Sequence, residues 1–68
     1  MQTNKTPLYT YIIRQDGIIK KEFKNQDSDV NVFGWLLRNQ SFSIEWALKY
    51  GGWQVEIINE ETGEKTKY

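Results

Sequence analysis

Val30 to Trp53, VNVFGWLLRNQSFSIEWALKYGGW, is the stretch whose reading decides the fold. Apolar residues recur at helical spacing on both sides of Asn39-Gln40-Ser41, which predicts two short helices joined by a polar turn. At about 100° per residue, Val30, Phe33, Leu36, Leu37 and Gln40 share one face of the first helix, whereas Val32, Trp35 and Asn39 lie nearly opposite. The first set is the expected inward stripe, which leaves Trp35 off it. Asp27, Ser28 or Asp29 can cap this helix, which runs to about Asn39.

Ser43 is the natural cap of a second helix, Ile44 to Tyr50, and Phe42 and Ala47 stand at the spacing of a hydrophobic staple. Ile44, Ala47 and Leu48 form its inward stripe; Glu45 with Lys49 and Trp46 with Tyr50 are spaced to pair at i,i+4. Gly51 is the expected left-handed end, since glycine takes that conformation without steric cost.

Outward from these helices the periodicity changes to two. Leu8 to Arg14 and Ile18 to Phe23 flank Gln15-Asp16-Gly17, a hairpin signal. A three-residue loop with Gly17 as the bulge gathers Tyr9, Tyr11, Ile13, Ile19 and Phe23 on one face, so that register is expected. Lys24 to Asp29 reads as a polar connection. After the helices, Trp53 to Asn59 alternates as a strand, and a four-residue turn at Glu60 to Gly63 sets Ile57 beside Thr66 and Glu56 opposite Lys67.

The expectation is a single α+β domain over residues 7–68 after a frayed end at residues 1–6. Its order is ββ-αα-ββ, an antiparallel four-stranded sheet in strand order 2-1-3-4 with two short helices packed on one face. A second hairpin standing apart as a wing is the competing arrangement.

Composition narrows the function. The chain has 68 residues, so its core is thin, but three Trp, four Tyr and three Phe supply large burial per residue. It has no Cys and no His, which removes disulfides, thiolate and imidazole metal sites and a His general base. Nine Lys+Arg balance nine Asp+Glu, so no strong attraction to polyphosphate or anionic membranes is expected. Without a signal-peptide core or a long apolar run, the reading is soluble and cytoplasmic.

The first candidate site is an aromatic surface of Val32, Trp35, Trp46 and Tyr50, suited to an unidentified protein partner or to self-association, because Trp and Tyr give rigid contact area. The bland alternative is burial of those residues in a thin core. The second candidate is nucleic acid. Either the helices and C-terminal hairpin form a winged helix-turn-helix, or Arg14, Lys20, Lys24, Lys65 and Lys67 make a basic outer sheet face; a solvated sheet face explains these cations as well. An enzyme is not expected: carboxylates such as Asp27, Asp29, Glu60 and Glu61 sit in polar turns, and a domain this small has little room for a pocket. Asp27-Ser28-Asp29 lacks the glycine and distal Glu of a calcium loop, so no metal is expected, and no cofactor or small-molecule substrate. These features read as a small non-enzymatic interaction module, a regulator, inhibitor or assembly factor of a bacterium or phage.

Overall fold

The computed structural model describes residues 7–68, and the frayed end expected at residues 1–6 lies outside them. The elements are β1 (Tyr9–Gln15), β2 (Ile18–Gln26), α1 (Val30–Asn39), α2 (Ile44–Tyr50), β3 (Trp53–Asn59) and β4 (Lys65–Lys67). They form the expected ββ-αα-ββ domain, with one antiparallel sheet in the order β2-β1-β3-β4. The C-terminal hairpin therefore joins the main sheet through β3 and β1, and no wing stands apart. Both helices close over the face that carries Tyr11, Ile13, Trp53 and Val55, where Val32, Leu36 and Ala47 complete the buried core.

The second hairpin has the register that alternation demands: Glu56 opposite Lys67, Ile57 opposite Thr66. The first hairpin departs from expectation. Gln15 pairs with Ile18, so the loop is the two residues Asp16-Gly17. Their φ values of 52° and 84° are the paired left-handed conformations of a type I′ turn. The extra residue falls inside β2 instead, where the register shifts between Ile13 and Arg14 and brings Tyr11 opposite Phe23. One consequence is that Ile19 lies opposite Arg14 on the outer face, not among the core residues. β2 also runs to Gln26, into the expected connection, with a second irregularity beside Tyr9 and Tyr11. Two kinks in an edge strand make it a poor template for further strand pairing.

Asn25 sits in that second irregularity with φ 58°, and Glu60 holds it there. The Asn25 backbone N–H and the Thr10 hydroxyl both donate to Glu60 Oε2, at 2.8 and 2.7 Å. Those bonds, the Thr10 hydroxyl foremost, hold the Glu60 carboxyl below its ordinary pKa; Glu56 is lowered too, chiefly by its hydrogen bond from Arg14. Carboxyl groups with lowered folded pKa values stabilise the fold above their unfolded pKa, roughly 4.3, and cease to as pH drops through the folded value. The melting temperature should therefore fall as pH drops from 5 to 3. Glu60→Gln should have a smaller fall over that interval than the parent, because the proton that Glu60 takes up is removed from the linkage; circular dichroism melts at both pH values read it, and equal falls would remove Glu60 from the linkage.

Helix α1 is rotated relative to the expected stripe. Val32 and Leu36 are fully buried, whereas Val30 and Leu37 are 71% and 55% exposed. With Val32 and Leu36 at the centre of the inward arc, Phe33 and Trp35 fall on its two flanks and both pack against the core. The stripe through Val30 and Leu37 would have cast Trp35 into water, and two flanking aromatics bury more area than two aliphatics.

Helix α2 matches its expected bounds. Ser43 Oγ accepts from the Trp46 backbone N–H at 3.1 Å. Its end differs by one residue: Gly51 keeps φ −87°, and the left-handed conformation falls on Gly52 at φ 77°. Asp29 is the N-cap of α1 without a side-chain capping bond. Glu45 and Lys49 form no ion pair; among the described residues the one salt bridge joins Arg14 and Glu56.

Candidate aromatic cleft

Three aromatics at four-residue spacing, Phe42, Trp46 and Tyr50, run along the outer side of α2 and the turn before it. Phe42 and Trp46 have ring centroids 4.6 Å apart, and Trp46 and Tyr50 6.3 Å apart. They are 67%, 41% and 70% exposed, in that order, so the ridge is a surface feature and not a core that spills over. Phe42 packs on Trp46, and Ala47 is fully buried in the core.

The turn between the helices is held by Gln40. Its side-chain amide donates to the Phe42 carbonyl at 3.0 Å and accepts from the Phe42 N–H at 2.7 Å. Such a reciprocal pair fixes the backbone that presents the Phe42 ring. At the other end, the Asp16 N–H donates to the Gly52 carbonyl at 2.9 Å, which seats the β1–β2 turn against the end of α2.

Between these two anchors lies an open cleft of about 530 Å³. Phe42, Trp46, Tyr50 and Trp53 supply its aromatic walls. Asn39, Gln40 and Ser41 rim one end, Gln15 and Asp16 the other, and Gly51-Gly52 lies between. So small a domain is expected to have little room for a pocket; the hairpin tip meets the end of α2 at Gly52, and the open cleft lies beside that contact.

Of the expected contact surface, the structure brings together only Trp46 and Tyr50. Val32 is fully buried and can touch no partner. Trp35 packs edge-on against Trp53, with centroids 6.1 Å apart and planes at 74°, as part of the core's rim. The rotation of α1 is the cause in both cases.

No family model, curated protein or solved structure matches the chain. Function has to be read from the cleft and the sheet.

The basic residues of the alternative site do not form one surface. Arg14 is engaged at 3.0 Å by Glu56, and Lys67 stands opposite the same carboxylate. Lys65 and Lys67 lie on β4, whereas Lys20 and Lys24 lie on β2 at the other edge of the sheet. The outer face between them carries Ile12, Glu56 and Ile58, without the aromatic rings that stack on bases. Among the described residues no group of three or more carboxylates converges as metal ligands would. Among the described residues no helix is long and apolar enough to cross a membrane.

Sequence reading missed Phe42, Gln40 and Asp16 as parts of the site. Phe42 was legible: residues 42, 46 and 50 repeat at i, i+4 and i+8, the spacing of one helix side. Asp16 was not, because only the tertiary fold carries the hairpin tip to Gly52.

Proposed function

We propose that this protein is a non-enzymatic protein-binding module whose contact surface is the ridge Phe42, Trp46 and Tyr50 with the cleft behind it. One observation carries the reading: three consecutive large aromatics stay substantially exposed in a domain that has few apolar residues to spare for its core. Leaving them in water forgoes burial that the fold could use, and a partner that covers them recovers it. Trp and Tyr side chains with a polar rim have the make-up of an interaction hot spot. Self-association is the close variant, and a regulator, inhibitor or assembly factor in a cysteine-free, cytoplasmic setting is the role that suits such a module.

The nucleic-acid reading has less support, since the hairpin that would have to stand apart as a wing is a pair of sheet strands and Arg14 is held by Glu56.

Photo-crosslinking tests the module. p-Benzoylphenylalanine at position 50, a larger aromatic side chain that the exposed Tyr50 site has room for, should give a discrete adduct in cells that naturally make the protein. The same group at Gln54, exposed on β3 at the outer face, should not. Trp46→Ala should abolish the position-50 adduct while the protein stays folded. Equal adducts from positions 50 and 54, or none from either, would overturn the proposal. Mass in solution across a concentration series separates a foreign partner from a second copy.

A further inference from the structure

We infer that the cleft between α2 and the β1–β2 turn receives an arginine side chain of the partner protein. The inference rests on the reading of the cleft as a binding surface and adds the chemistry of what enters it.

Asp16 supplies the only formal charge among the residues that line the cleft, and that charge is negative. The carboxylate and the Trp46 indole stand over adjacent residues. A Cβ on Gly52 would collide with the Asp16 carboxylate, and a Cβ on Gly51 would lie 3.1 Å from Trp46 Cζ3. Successive Cα atoms are about 3.8 Å apart, so anion and ring bracket a short glycine floor. Trp46 continues into Phe42 and Tyr50, whose faces carry the same negative quadrupole.

Three kinds of occupant can be weighed. An acidic side chain meets Asp16 as a like charge. A purely apolar one covers the rings but buries the carboxylate without a partner, a costly step. A cation satisfies both features: it pairs with Asp16 and lies over the aromatic faces. Arginine fits better than lysine, because its planar guanidinium stacks on indole and forks onto a carboxylate at once. At the rim Ser41 is left to bond the backbone of the segment that carries the arginine, since the Gln40 amide is engaged with Phe42 and the Asn39 amide with the Trp35 carbonyl.

The test uses the whole protein, isotope-labelled, titrated with N-acetyl-Gly-Arg-Gly-amide and with the same peptide carrying citrulline, which keeps the shape and removes the charge. The arginine peptide should shift the Trp46 indole N–H and the Gly52 amide together along a saturating curve, and the citrulline peptide should show no saturation. Asp16→Asn should weaken arginine binding about tenfold, the loss expected for a charge-assisted hydrogen bond. That variant keeps the hairpin, since Asn-Gly is the preferred type I′ sequence. Equal response to the two peptides, an unchanged affinity in Asp16→Asn, or shifts scattered over the whole surface would overturn the inference. A position-50 adduct with no response to the arginine peptide would leave the binding module standing and remove arginine from it; loss of both would remove the site.

Discussion

Leu36→Ala should lower the melting temperature by roughly 10–30 °C, and Leu37→Ala by no more than a few degrees. Leu36 is fully buried at the centre of the α1 face that meets the sheet. Truncating such a leucine costs about 2–5 kcal/mol, because the removed methyl groups lose burial and the gap does not close completely. At about 4–8 °C per kcal/mol for a domain of this size, the loss is a large part of the whole stability. Leu37 is its neighbour in sequence and more than half exposed, so its truncation falls among surface changes, usually within about 0.5 kcal/mol. Circular dichroism melts of the two variants decide the matter. Equal losses would mean that α1 presents the Val30 and Leu37 side to the sheet, and Trp35 would then return to the contact surface.

That pair of variants also marks where sequence patterning stopped being decisive. The bounds of both helices and of β3, the strand order and the register of Glu56 with Lys67 were legible because alternation and caps have single good solutions there. Ser43 is an unambiguous cap: its hydroxyl has one helix to serve. α1 was different. Val30, Val32, Phe33, Trp35, Leu36 and Leu37 cover most of the helix circumference, so periodicity permits two inward stripes and only the sheet below selects one. β2 failed for a related reason. A bulge moves half of a strand to the other face without leaving a residue type that announces it, and Lys20 looks like any exposed lysine.

The cleft was half legible by the same measure. Trp46 and Tyr50 belong to one helix and could be paired from spacing alone; Asp16 is 30 and 34 residues before them in the chain and joins them only because its N–H meets the Gly52 carbonyl. The doubled glycine at positions 51 and 52 reads in sequence as a helix stop. In the fold it is also the place where the hairpin tip comes closest to α2.

Gly52→Ala should therefore be the most damaging single change outside the core, and more damaging than Gly17→Ala. Both glycines have positive φ, 77° and 84°, so alanine pays a similar conformational cost at each, roughly 1–3 kcal/mol. Their surroundings differ. Around Gly17 a new Cβ meets nothing within 4 Å, whereas at Gly52 it runs into the Asp16 carboxylate. To relieve that collision the hairpin tip must lift, which strains the bond from Asp16 N–H to Gly52 at 2.9 Å and opens the end of the cleft. The difference between the two variants isolates the close approach from backbone strain. A double-mutant cycle isolates the collision: Asp16→Gly removes the colliding carboxylate while Gly-Gly still forms a type I′ turn, so in the Asp16→Gly background Gly52→Ala should cost no more than Gly17→Ala costs in the parent. Urea titrations of the three single variants and the double give the free energies on one scale. If Gly52→Ala and Gly17→Ala cost the same, the hairpin tip does not rest on the α2 terminus, and Asp16 has no place in the cleft.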